Sequence, residues 1–98
     1  MFINVIKTYR DVVAVCDEEL IGKVFEEGDF QLDVKENFYR GETFSGDEAI
    51  RILQDMALED ATFNIVGKES VEAAIAAGII EEESVGEIGG IPFVLVLG

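Results

Sequence analysis

The sequence predicts an α+β domain: a mixed, mainly antiparallel sheet with about two helices packed on one face. Three observations predict it. Short runs rich in β-branched residues, separated by turn-forming clusters, fill the N-terminal part of the chain. Two segments with helical apolar spacing follow, with a strand-like run between them. Gly89-Gly90 then joins two further apolar segments, the pattern of a closing hairpin. With 98 residues, 49% of them apolar, the chain forms one modest core, so residues 1–98 are read as a single domain.

The elements follow in order. Residues 2–8 and 12–16 are β-branched runs, and Tyr9-Arg10-Asp11 between them suits a tight hairpin connection. Asp17 offers a capping oxygen to a short helical turn over residues 18–22, with acids in its first turn. After the turn-forming Glu26-Glu27-Gly28-Asp29, residues 30–35 alternate. Phe30, Leu32 and Val34 fall on one side and Gln31, Asp33 and Lys35 on the other, as in a strand with one wet face. Residues 37–41 read as a loop carrying two adjacent aromatics. Ser45 and Glu48 have the spacing of a capping box. Ala49, Ile50, Leu53, Met56 and Ala57 then form an apolar stripe on a helix ending near Glu59. Residues 62–66 read as a strand and 69–77 as a second helix, with Val71, Ala74 and Ile75 inward and Gly78 as its stop. Residues 85–88 and 91–97 flank the Gly-Gly turn. Pro92 places its strand at an edge or at a strand start, because it cannot donate a ladder bond.

Charge and missing residue types exclude more than they identify. There are 21 acids against 7 basic residues, a formal net charge of -14, and no His. Without imidazole, and with Cys16 as the one cysteine, internal zinc sites, Cys-His nucleophiles, Ser-His-Asp triads and an intrachain disulfide are excluded. A lone cysteine fits a reducing, cytoplasmic setting. The N-terminus lacks the pattern of a signal peptide, and no apolar run is long enough to cross a bilayer. The acid excess has two readings, solvation in a salt-rich cytoplasm or a docking face for a basic partner.

Lys35, Phe38, Tyr39 and Arg40 form the densest basic and aromatic cluster. Aromatic rings stack on unpaired bases and neighbouring cations take phosphates, although Glu36 and Glu42 blunt the local potential. The plainer reading puts Phe38 in the core and lays Tyr39 over a loop. Lys68 lies in Gly67-Lys68-Glu69-Ser70, between a strand and a helix, where phosphates are often held. The spacing is not that of a P-loop, since Thr62 stands where the first glycine would be. A helix start capped by Ser70 or a neighbour is the simpler account. Cys16 beside Asp17, Glu18 and Glu19 reads as a buried strand-end thiol rather than a reactive one. Residues 91–97 are apolar on both faces, which requires a central position or self-association through this strand or the Phe30 strand.

Taken together, residues 12–34, then Glu36-Asn37-Phe38-Tyr39-Arg40-Gly41-Glu42, residues 61–80 and residues 88–97 resemble a family of small, uncharacterised archaeal proteins of unknown function. The pieces that carry the resemblance are Cys16-Asp17 with Leu20 and Gly22-Lys23, Phe38-Tyr39 with Gly41, Asn64-Ile65-Val66-Gly67, and Ile88-Gly89-Gly90. The resemblance implies a link to RNA or translation and brings no catalytic residues with it. The expected function is therefore a non-catalytic binding module that uses Lys35, Phe38, Tyr39, Arg40 and Lys68. No metal ligand or cofactor is expected. The alternatives are an acidic adaptor docking a basic, RNA-associated protein, and a small enzyme built on a carboxylate or lysine.

Overall fold

A computed structural model describes residues 1–97. Along the chain come β1 (Phe2–Ile6), β2 (Val12–Cys16), a single 3-10 turn (Glu18–Leu20), β3 (Val24–Glu27) and β4 (Phe30–Asp33). A one-turn helix α1 (Glu36–Tyr39), β5 (Glu42–Thr43), α2 (Gly46–Leu58), β6 (Thr62–Val66) and α3 (Lys68–Ala76) follow. The chain closes with β7 (Gly86–Ile88) and β8 (Ile91–Val96). Six strands form one sheet in the order β5-β1-β2-β6-β8-β7, and β3 pairs with β4 in a separate hairpin. Only β2 and β6 run parallel, so the sheet is mixed and mainly antiparallel, as the sequence predicts.

Alternation along the strands gives the sheet two apolar faces. Ile3, Val13, Val15, Phe63, Ile65 and Val94 point to one side, where Ala49 and Leu53 of α2 and Val71, Ala73 and Ala74 of α3 cover them. Ala14, Cys16 and Val66 point to the other, beneath Leu20, Val34 and Tyr39, with Phe25, Leu32 and Phe38 packed around them. The molecule therefore has three layers: two helices, the sheet, and a cover made by the β3–β4 hairpin and α1. Burying a side chain such as Phe63 or Leu53 contributes roughly 2 kcal/mol over leaving it in water. The β-branched strands and the α2 stripe thus supply most of the driving force.

Local chemistry explains the element ends. Ser45 accepts from the Glu48 N–H while the Glu48 carboxylate accepts from the Ser45 N–H, so both halves of the capping box are made. These bonds hold the Glu48 carboxyl below its ordinary pKa. At the end of α3, Gly78 N–H donates to Ile75 C=O and Ile79 N–H to Ala74 C=O, the paired bonds of a Schellman stop. Gly89 and Gly90 both have positive φ, 57° and 80°, which suits a two-residue turn whose twist matches the strands.

Several expectations are corrected. Residues 37–41 are not wholly loop, since Glu36–Tyr39 makes one helical turn. Ile75 is exposed, and Ser70 and Ala73 share the buried side of α3 with Val71 and Ala74. Phe30, read on the apolar side with Leu32 and Val34, is 71% exposed. Pro92 is the second residue of a strand lying inside the sheet order. It stands opposite Glu87, one step from the Ile88–Ile91 pair that closes the turn, so its missing N–H costs the β7 ladder nothing.

Candidate functional site

The residues expected to bind are divided by the sheet. Lys35, Phe38, Tyr39 and Arg40 sit on α1 and its flanks, in the cover layer. Lys68 opens α3, in the helical layer on the opposite side. Lys35 is exposed at the start of α1. Phe38 is half-buried, with its ring edge-on to Tyr39 at 4.9 Å between centroids. Tyr39 is only 8% exposed. The Arg40 guanidinium is engaged twice, by Glu36 Oε1 at 2.8 Å and by the Phe2 ring at 5.1 Å from its centroid. The α1 backbone is tied to the sheet as well, since Asn4 Nδ2 donates to Phe38 C=O at 2.8 Å. As it stands, α1 packs its second ring inward, leaving Lys35 and part of Phe38 at the surface.

The most ordered polar group lies at the ends of β2 and β6, and the sequence reading misplaced its role. Asp17, 2% exposed, does not cap the turn that follows it. Its Oδ1 accepts from Ser70 N–H at 2.8 Å and from Ser70 Oγ at 2.7 Å, and its Oδ2 accepts from Glu69 N–H at 3.0 Å. The parallel pairing of β2 with β6 carries Cys16 beside Val66, which delivers Asp17 to the start of α3. The positive end of that helix is therefore filled by the protein's own carboxylate. The phosphate reading of Gly67-Lys68-Glu69-Ser70 fails there, because the N–H groups an anion would use are already bonded. Gly67 makes room for this contact, with φ 107° and ψ 156° and no Cβ between the backbone and the Asp17 carboxylate.

Cys16 is fully buried and donates through Sγ to Asp17 C=O. Burial, then the neighbouring Asp17, pushes its thiol from 9.0 up to about 12. Burial, with Cys16 nearby, likewise pushes the Tyr39 phenol from 10.0 up to about 12. Both groups stay protonated at neutral pH, so neither is a ready nucleophile. The linkage has a definite sign. An unfolded chain loses these protons first, so their contribution is complete below pH 9 and declines as pH rises toward 12. The slope is about 1.4 kcal/mol per pH unit for each group. Urea midpoints compared on either side of pH 9 check this. A Cys16→Ala variant is expected to show a shallower alkaline decline, and an unchanged profile would contradict the assignment.

Outside these buried groups the surface is acidic. The β3–β4 hairpin carries Glu26, Glu27, Asp29 and Asp33, with Phe30 next to its turn. Glu26 Oε1 accepts from Gln31 Nε2, and Glu27 Oε1 accepts from Gly89 N–H at 3.0 Å, which pins the hairpin to the β7–β8 turn. Val24, at 51%, and Phe30 are its large exposed apolar side chains. An open groove of about 520 Å³ lies between the start of α2 and α3. Among the described residues no group of three or more Cys, Asp or Glu side chains is arranged to hold a metal ion. No helix among them is long and apolar enough to cross a membrane.

A mixed sheet with two helices on one face and a hairpin cover on the other defines a small α+β protein. The chain belongs to the DUF424 family, described as a protein of unknown function, whose profile matches residues 6–98. The family resemblance read from the sequence is thereby borne out. A solved structure, the crystal structure of an uncharacterized conserved protein from Methanopyrus kandleri, is similar with a TM-score of 0.88 and 28% identity. The likeness covers 97% of this chain and 88% of that one. No curated protein matches the chain.

Proposed function

We propose that this chain is a non-catalytic binding module whose acidic surface docks a basic protein, with the β3–β4 hairpin as the point of contact. The observation that carries this reading is Phe30, exposed beside its turn among Glu26, Glu27 and Asp29. A solvated aromatic ring is an anchor that gains by being covered. An arginine or lysine laid over its face gains about 0.5–1 kcal/mol from the ring, and nearby carboxylates accept its hydrogen bonds. A chain of net charge -14 also draws basic partners toward it over long distances. The link to RNA or translation implied by the family resemblance makes a basic RNA-associated protein of the cytoplasm the partner class.

The test is an NMR titration with an arginine-rich peptide at physiological and at molar potassium. Shifts are expected to centre on the hairpin, and Phe30→Ala is expected to weaken binding about fivefold, the equivalent of 1 kcal/mol. Glu26→Lys with Asp29→Lys weakens it further. Glu27 is left intact because it holds the Gly89 N–H. Shifts that follow charge alone, equally reduced by neutralising Glu81, Glu82 and Glu83, would overturn the assignment. A second reading, single-stranded RNA held by Lys35, Phe38, Tyr39 and Arg40 with Lys68 left out on the far side of the sheet, is favoured by the exposure of Lys35. It requires α1 to turn Tyr39 outward. Retention of RNA that is lost in Lys35→Glu and untouched by Phe30→Ala would support it in place of the first.

A further inference from the structure

We propose that Glu27 is a positioning residue of the hairpin site, tying the β3–β4 tip to the β7–β8 turn so that Phe30 is already in place when a partner arrives. The inference rests on hairpin docking and adds what holds the docking residue still. A two-stranded hairpin has little stability of its own. Its base is fixed by packing, since Phe25 and Leu32 stand opposite one another and lie with Ile91 and Phe93 in the cover layer. Past the Glu26–Gln31 pair, at the tip, Glu27 stands opposite Phe30. Side chains return to the same side at every second residue, so Glu27 and Phe30 share the side of Phe25 and Leu32. Phe30 is 71% exposed there, so apolar contact does not hold the tip as it holds the base.

The neighbouring turn supplies that hold. Ile88 and Ile91 close the β7–β8 ladder, which leaves Gly89 and Gly90 outside it. The Gly89 N–H therefore has no strand partner, and it donates to Glu27 Oε1 at 3.0 Å. The turn also lies against the hairpin, since a Cβ on Gly89 would sit 3.4 Å from the Glu26 carbonyl oxygen and from Phe25 Cβ. Glu26 is bonded within the hairpin, to Gln31 Nε2, so the tie falls to Glu27. The bond fixes one member of the last pair, and the ladder carries the restraint across to Phe30. An anchor ordered beforehand loses less freedom on binding, so Glu27 adds to affinity through Phe30 as well as through its own charge.

Glu27→Gln keeps an oxygen for the Gly89 N–H and loses the charge, whereas Glu27→Ala loses both, so the difference between them reports the bond. In NMR of the full chain without a partner, Gly89 amide exchange is expected to be about fivefold faster in Glu27→Ala than in the wild type. In Glu27→Gln it is expected to quicken by less than about twofold. Relaxation of residues 28–30 is expected to show added nanosecond motion in Glu27→Ala alone. With the arginine-rich peptide, Glu27→Ala is expected to bind about threefold more weakly than Glu27→Gln. Gly89 exchange as slow in Glu27→Ala as in the wild type would overturn the proposal. So would equal affinities of the two variants for a peptide that the wild type binds. A wild type that binds no peptide, while Gly89 exchange still separates the variants, would confirm the tie and overturn hairpin docking.

Discussion

Replacing Asp17 by alanine is expected to remove about 3 kcal/mol of stability, a large fraction of the total for a domain of this size. Loss of a helix cap ordinarily costs about 1 kcal/mol. Here the deletion also strands the Ser70 N–H and hydroxyl in a site shut off from water, and a buried donor left without an acceptor costs roughly 1–3 kcal/mol. The oxygens are used unequally, which predicts a graded series. Ser70→Ala removes one of three bonds and is expected to cost about 1 kcal/mol. Asp17→Asn keeps an oxygen toward Ser70 but turns an NH₂ donor against the Glu69 N–H, so it falls between the other two. Urea unfolding of the three variants measures the order. Since 1 kcal/mol shifts the midpoint of a domain this small by roughly 4–8 °C, thermal melts resolve it too. Equal losses in Asp17→Ala and Ser70→Ala would show that the carboxylate acts only through the hydroxyl.

The same residue marks where the sequence stops being readable. α2 was legible because its signals are local: Ser45 and Glu48 are three residues apart, and its apolar stripe repeats with the helical turn. The Gly89-Gly90 hairpin and the stop at Gly78 were legible for the same reason. Asp17 was read as the cap of its own turn, yet its partners lie 52 and 53 residues away. Only the parallel pairing of β2 with β6 brings them together, and two central strands that are both apolar carry no mark of their relative direction. α1 shows the converse failure. Lys35, Phe38, Tyr39 and Arg40 are adjacent in sequence, but one helical turn sends neighbouring side chains in different directions, and Tyr39 falls on the buried side. The alternation over residues 30–35 identified the strand but not which of its apolar residues is covered, since that depends on what packs over it and not on its own period.

Gly67→Ala is expected to be as damaging as loss of Asp17, for a different and separable reason. A Cβ at Gly67 would lie 2.6 and 2.7 Å from the two Asp17 carboxylate oxygens and closer still to its Cγ. The carboxylate cannot yield without giving up the bonds that start α3. The backbone also sits at φ 107° and ψ 156°, a region that residues with a Cβ occupy only at a cost of about 1–3 kcal/mol. Moving to a relaxed φ would shift the Gly67 N–H that donates to Pro92. A double-mutant cycle separates the two contributions. In the Asp17→Ala background the collision is gone and only the backbone strain remains, so Gly67→Ala should there cost at least about 1 kcal/mol less than in the wild type. Strictly additive losses would mean that the glycine is required for its φ alone. The close approach of carboxylate to backbone would then be a consequence of that conformation and not its reason.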